Sequence, residues 1–312
     1  MSMTLGRRKA RPARPARPQT IGRARSKENR AAGLFLLPAF IGFAVFYLYP
    51  TGRGIWISLT DWNLLSDPTY VGADNYVEVA KDPLFWNALK VTAYFVFITL
   101  GVQVGVALLL AAIMVRLTGS VVVRALLLVP WLVPNVTIGL IWLWMLDANL
   151  GFVNHLMGKT GSDTHGFFAS PDEALLSVSA VNIWAGTGYV ALLLYAGMLQ
   201  IPGELYESAS LDGAGEIRMF FKITLPLLRP ILALVMVVSV IGSFQIFDTI
   251  AVTTKGGPVD ATRVAYYYIY QEAFTHFRMG YAAAMALCLV VVLGGLTYLQ
   301  MRLLRASTSD LA

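Results

Sequence analysis

The stretch "ESASLDGAGEIRMFFKITLP", Glu207–Pro226, is charged and amphipathic, yet strongly apolar segments flank it on both sides. Asp212-Gly213 at its middle is a turn signal, because aspartate bonds its own backbone and glycine accepts left-handed geometry. On one side, "IPGELYESASL" predicts a helix from Pro202, with proline at the tolerated first position and acidic residues in the early turns. On the other, "GEIRMFFKITL" predicts a second short helix in which Ile217, Phe220, Phe221 and Leu225 share a face. Pro226 marks where the next apolar segment begins. Two short helices joined by a turn, apolar on one side and charged on the other, suit a groove on a protein partner. A helix lying on lipid would carry an excess of Lys and Arg. Here Glu204, Glu207, Asp212 and Glu216 offset Arg218 and Lys222, which disfavours that alternative.

The flanking segments explain why a polar hinge stands out. Of 312 residues, 57% are hydrophobic and 13% charged, against roughly 25% charged in an ordinary soluble domain. So little charge cannot cover a surface facing water, and lipid must cover much of it. A helix needs about 20 mostly apolar residues to cross the bilayer core. Six segments qualify, over residues 32–49, 91–115, 125–146, 174–199, 227–247 and 282–304. The fold expected is an all-α integral membrane bundle of six transmembrane helices.

Direction follows from the distribution of positive charge. Ten basic residues, from Arg7 to Arg30, precede the first apolar run and include the low-complexity stretch "RPARPARP". Proline and like-charge repulsion predict a disordered tail over residues 1–30. Beside a membrane segment such a tail reads as cytoplasmic retention; nucleic-acid binding is disfavoured, since no aromatic residue interleaves with the arginines. The apolar run after it is too long for a cleaved signal peptide. Arg116 and Arg124 then fall in the next cytoplasmic loop, Arg218, Lys222 and Arg229 in the one after, and Arg302 and Arg305 after the last span. The loop after the first span is acidic, with Asp61, Asp67, Asp74, Glu78 and Asp82. Both termini are expected in the cytoplasm, with membrane helices and loops over residues 31–305, the hinge loop at 201–226 and a short tail at 306–312. "GADNYVEVAKDPLFWNALK" predicts a short amphipathic helix leading into the second span, with Tyr76, Phe85 and Trp86 in the interface belt. Gly256–Pro258 predicts a turn.

Several chemistries are disfavoured. His155, His165 and His276 lack helical metal-site spacing, so no metal is expected. Cys288 is the one cysteine and sits in an apolar run, where it reads as a small buried hydrophobe. Gly158-Lys159-Thr160 resembles the end of a phosphate-binding loop, but Val153 occupies the place of the required first glycine. No ionisable residue falls at the centre of a span; Asp147 and Asp248 lie at span ends, so no proton relay is evident. Any energy input must come from another subunit. No catalytic residues and no cofactor are expected on this chain.

A polar solute needs polar or small residues on one helix face. Asn182, Gly186 and Tyr189 recur at such spacing in the fourth span; Ser239, Gly242, Ser243 and Ile246 do so in the fifth. Packing accounts equally well for Gly186, Gly242 and Ser239, since small residues let membrane helices approach. Asn182, Tyr189 and Ser243 favour a pathway, because polar groups are costly in lipid. Trp131 and Trp184 are candidates to stack on a sugar ring.

The hinge also resembles the EAA loop of binding-protein-dependent ABC importer permeases, which reads E-A-A, three residues, G, nine residues, I-x-L-P. Here it is Glu207-Ser208-Ala209, Gly213, then Ile223-Thr224-Leu225-Pro226, with Ser208 in place of the first alanine. "NYVEVAKDPLFWNAL", "VPWLVPNVTIGLIWLWM", "SFQIFDTIAVTTKGGP" and "AFTHFRMGYAAAMAL" are similar to the sugar-permease branch, of maltose type, so the likeness runs from the first span to the last. The resemblance implies that Glu207, Ser208, Ala209, Asp212, Gly213, Ile223 and Pro226 couple the chain to a cytoplasmic ATPase. That ATPase, present in two copies, would use ATP and Mg. It further implies a second homologous permease, an extracytoplasmic solute-binding protein, a bacterial inner-membrane location, and a pocket lined by Asn182, Gly186, Tyr189, Ser239 and Ser243. The cargo implied is a sugar, of di- or oligosaccharide size. Glycerol phosphate is the competing cargo, but a phosphate pocket should present Arg or Lys, and the inner faces of the fourth and fifth spans have none. A stand-alone channel or carrier and a membrane enzyme are the rival classes.

Overall fold

The computed structural model describes residues 33–117, 120–161 and 163–303. The basic tail at 1–30 and the C-terminal tail at 306–312 lie outside the described residues. Contacts divide the chain after Arg53. In the first unit the described residues are helical. They belong to α1 (Gly33–Ile57), which contains a π turn at Ala44–Leu48 and is apolar all round, with none of its most hydrophobic window buried.

The second unit opens with a two-stranded antiparallel ladder, β1 (Thr60–Asp61) paired with β2 (Thr69–Tyr70). The amphipathic segment next in the chain is two helices rather than one: α2 (Asp74–Lys81), then α3 (Pro83–Leu117). Pro83 forces the break, because the residue before a proline is driven to extended geometry; Asp82 has ψ 109°. Its carboxylate then accepts the Leu84 N–H at 2.8 Å and starts α3. At 35 residues, α3 exceeds the expected span by a turn or more at its start. Phe85, expected in the interface belt, is instead in the core at 2% exposure, while Trp86 is exposed.

The third expected span is not one straight helix. It is α4 (Val121–Leu132) and α5 (Asn135–Met145), bent by 89°. Pro134 lacks an N–H and pushes Val133 to φ −80°, ψ 134°, so the helix cannot continue. After α6 (Phe152–Gly158) comes α7 (Ala174–Met198), the fourth span. The hinge supplies α8 (Gly203–Leu211) and α9 (Glu216–Met219), the latter running on through a π turn at Phe220–Thr224. The fifth span is α10 (Arg229–Phe244), which breaks at Gln245 before α11 (Asp248–Val252). Lastly, α12 (Ala265–Tyr270) precedes α13 (Met279–Leu303). Among the described residues five helices are long and apolar enough to cross a membrane, or six if the bent pair counts as one span.

Two helices make the backbone of this unit. The long α3 lies along α7, and α4 and α10 close on them. Phe95, Val178, Val181, Ile250 and Met285 lead one buried cluster; Leu194, Leu228, Ala107 and Ala111 lead the other. At Gly188 on α7 a Cβ would overlap the Leu127 carbonyl of α4, so these backbones touch and only glycine fits. The Gly256–Pro258 turn forms as expected, with Gly256 at φ +83° and Gly257 N–H bonded to the Thr254 carbonyl.

Candidate functional site

Three helices and a break bring polar groups together in the middle of the second unit. A cleft of about 270 Å³ is walled by Asn182, Gly186 and Tyr189 of α7 and by Ser239, Gly242 and Ser243 of α10. All five residues singled out for the pathway thus face one cavity. Their spacing places them on single helix faces, and the packing of α10 near α7 sets those faces toward each other. The Asn182 amide donates to the Val178 carbonyl at 2.8 Å. No neighbour comes within 4 Å of a Cβ built on Gly242, so that glycine opens onto space.

The cleft has further walls that the sequence reading did not include. Thr99 and Gln103 come from α3; their i, i+4 spacing in an apolar helix was the available signal. Asn135 comes from the first position of α5, exposed there by the break at Pro134. Asp248, at the start of α11, lies 3.4 Å from the Asn135 amide and is the one ionisable carboxylate in the lining. Among the described residues no Arg or Lys lines the cleft. Trp131 stacks flat on Tyr189 at the rim, but Trp184 packs edge-on against Trp142, outside the cleft. A second hollow shares Trp131, Asn135, Asn182 and Gly186 and extends the space.

The hinge is a separate surface. Pro202 is the N-cap rather than the first helical residue. The end of α8 closes as a Schellman turn: Ala214 N–H bonds the Ala209 carbonyl at 2.9 Å and Gly213 N–H the Ser210 carbonyl at 3.0 Å. Gly213 takes φ +77°, which glycine adopts without strain. Glu207, Ser208 and Asp212 are exposed, whereas Ala209, Ile223 and Pro226 are half-buried. The four apolar residues of the second helix do not share one face. Phe220 packs into the inner core, while Ile217 and Phe221 are 77% and 58% exposed. Successive helical residues stand about 100° apart, so Phe220 turns to the core while Phe221 faces out with Ile217, one turn before it. Tyr206 of α8 bonds the Thr224 hydroxyl at 2.8 Å, pinning the two arms together. Arg116 at the end of α3 pairs with Glu216 at the start of α9, so the hinge and the C-terminal end of α3 lie together.

At the opposite end of α3 the hydroxyls of Tyr268 and Tyr281 both donate to Asp82 at 2.7 Å. Burial opposes the charge on Asp82. The two phenols and the Leu84 and Phe85 N–H groups outweigh it and hold the carboxyl below its usual value of 3.8. Gly158-Lys159-Thr160 lies at the C-terminal end of α6, where the helix dipole repels phosphate. His165 and His276 pair with Glu173 and Glu272 at 2.8 Å each. Among the described residues no three His, Cys, Asp or Glu cluster to hold a metal.

Residues 87–309 match the sequence profile of the binding-protein-dependent transport system inner membrane component family. The chain is 34% identical over 281 residues to the probable ABC transporter permease protein YesP of Bacillus subtilis, covering 88% of this chain and 90% of that protein. It is 32% identical to the sn-glycerol-3-phosphate transport system permease protein UgpA of Yersinia pseudotuberculosis (86% and 92% covered). It is 33% identical to the trehalose/maltose transport system permease protein MalF of Thermococcus litoralis (81% and 85% covered). In fold it is similar to a chain of a bacterial alginate ABC transporter solved with an alginate pentasaccharide-bound periplasmic protein. The TM-score is 0.81, with 22% identity, 92% of this chain and 98% of that one covered.

Proposed function

From the premise that the chain belongs to the binding-protein-dependent transport system inner membrane component family, we propose that it is the permease subunit of an ATP-driven importer for a neutral sugar of di- or oligosaccharide size. An external solute-binding protein delivers the sugar. A second, homologous permease completes the pathway, and two ATPase copies beneath the pair bind ATP and Mg. The basic tail and the hinge at 201–226 face the cytoplasm in a plasma membrane. The hinge docks on the ATPase through Glu207, Ser208, Ala209, Asp212, Gly213, Ile223 and Pro226. The sugar passes Asn182, Gly186, Tyr189, Ser239 and Ser243.

The observation that carries this reading is the cleft itself. It offers hydroxyls, carboxamides and an aromatic stack, the groups that recognise a polyhydroxylated ring, and two of its walls are α7 and α10, the helices on either side of the hinge. Glycerol phosphate, the cargo named for UgpA, is the competing substrate. A phosphate site calls for Arg or Lys, whereas this lining has none and includes the carboxylate of Asp248. That contrast favours a neutral solute.

Uptake of labelled maltose, trehalose, longer maltooligosaccharides and glycerol 3-phosphate is compared in cells with and without this chain. Loss of a neutral sugar supports the proposal; loss confined to glycerol 3-phosphate overturns the substrate class. Glu207→Lys should leave membrane insertion intact and abolish that uptake, and full uptake would refute the docking role. Solute movement through vesicles lacking any ATPase would favour a stand-alone carrier.

A further inference from the structure

We infer that α3 supplies a third wall of the solute pathway, in which Gln103 and Thr99 present a carboxamide and a hydroxyl to the passing solute and Gly186 is glycine to make room for Gln103. The inference rests on the reading of the cleft as a solute pathway and adds residues from a helix outside the pair already assigned.

Three observations carry it. The first is the hydroxyl of Thr99. Its residue is 3% exposed, it lines the cleft, and its Oγ1 has no hydrogen-bond partner. Other buried helical hydroxyls in this chain turn back to the carbonyl four residues earlier, as Thr92 does to Ala88, Ser179 to Leu175 and Thr187 to Ile183. An enclosed hydroxyl without a partner forfeits its hydration for nothing, and among the described residues Thr99 is the one side-chain hydroxyl in that position. The second is Gln103, one turn further along the same face and 8% exposed. No hydrogen bond to its carboxamide is found among the described residues, yet its polar atoms are not sealed off, since they are absent from the enclosed and unpartnered groups. A carboxamide that remains free at a cleft is one a ligand hydroxyl can satisfy. The third is Gly186. A Cβ there would overlap the amide nitrogen of Gln103, so any larger residue at 186 drives the carboxamide out of its place. Gly186 therefore acts by positioning Gln103.

Thiol accessibility tests this without knowledge of the solute. In the full-length chain with Cys288→Ser, in native membranes, Gln103→Cys, Thr99→Cys, Ser243→Cys and Val102→Cys are each treated with 2-(trimethylammonium)ethyl methanethiosulfonate. The thiolate that reacts forms only where water reaches it. Gln103→Cys should react within about tenfold of Ser243→Cys, and Val102→Cys, on the exposed apolar outer face of α3, at least about a hundredfold more slowly. Unreactive residues at both 103 and 99, with a reactive Ser243→Cys, would overturn the third wall while leaving the cleft. An unreactive Ser243→Cys would remove the cleft reading, and this inference with it. As a second measurement, Thr99→Val should leave the melting temperature of the purified protein unchanged or raised, because it deletes an unpartnered hydroxyl. A lowered value would mean that Thr99 is bonded within the fold and serves packing.

Discussion

The indole of Trp131 lies flat on the phenol of Tyr189, with ring centroids 4.4 Å apart and planes 8° from parallel. One ring comes from α4 and the other from α7, and both border the cleft. Trp131→Ala removes a stacked pair worth about 0.5–1.5 kcal/mol. The melting temperature should fall by only a few degrees, while sugar uptake at low concentration falls further, because the cleft loses its flat apolar wall. Uptake that declines no more than stability does would confine Trp131 to packing.

The approach of α4 to α7 depends on Gly188. The atom that an added Cβ would strike is a backbone carbonyl, that of Leu127, which has no rotamer to change. Gly188→Ala should therefore part the helices at a cost of about 1–3 kcal/mol, seen as a lower melting temperature and less protein in the membrane. Gly242→Ala is the contrast. Nothing lies within 4 Å of that Cβ, and helix propensity improves by about 1 kcal/mol. Its stability should hold or rise, while the methyl group narrows the cleft and slows transport.

Tyr206 and Thr224 tie the two arms of the hinge through one hydroxyl contact. Tyr206→Phe deletes it at a cost of about 0.5–1.5 kcal/mol. Glu207, Ser208 and Asp212, exposed and proposed to dock, are untouched, so the complex should still assemble, but each ATP hydrolysed should move less sugar. An unchanged ratio of transport to hydrolysis would show that the arms need no tie.

Asp82 links α2, α12 and α13 through Tyr268 and Tyr281 and is held in its charged form. Its folded-state pKa is depressed, so its contribution is complete above the unfolded value of 3.8 and is lost as pH falls through the lower folded value. The melting temperature should be insensitive to this group near neutrality and drop in strong acid. Asp82→Asn should start lower and show a shallower acid slope; an identical slope would exclude Asp82 as the titrating group.

The hinge was legible in the sequence because its signals are local. Asp212-Gly213 marked the turn, and the turn forms with Gly213 in left-handed geometry. The apolar runs marked the spans for the same reason, since about 20 residues of hydrophobicity need no knowledge of neighbours. Where local rules compete, the reading slipped. Pro134 sits inside an apolar run long enough to span, and its missing N–H bent the third span by 89°. Phe220 and Phe221 were grouped on one face, but neighbours in a helix stand about 100° apart, so Phe220 packs against the core while Phe221 stays exposed.

Residues on one face of one helix, such as Asn182, Gly186 and Tyr189, could be grouped from spacing alone. Which other faces they meet could not, because the contact of α3 with α7 and the placement of Asp248 beside Asn135 arise from packing between segments distant in the chain. The amino-acid order determined how much of this protein lies in lipid and where its polar hinge falls, through hydrophobicity and backbone preference acting residue by residue. Only the tertiary structure decided that Thr99 and Gln103 stand beside Gly186, because close packing of helix against helix, and not the preference of any one segment, selects which side chains share a cavity.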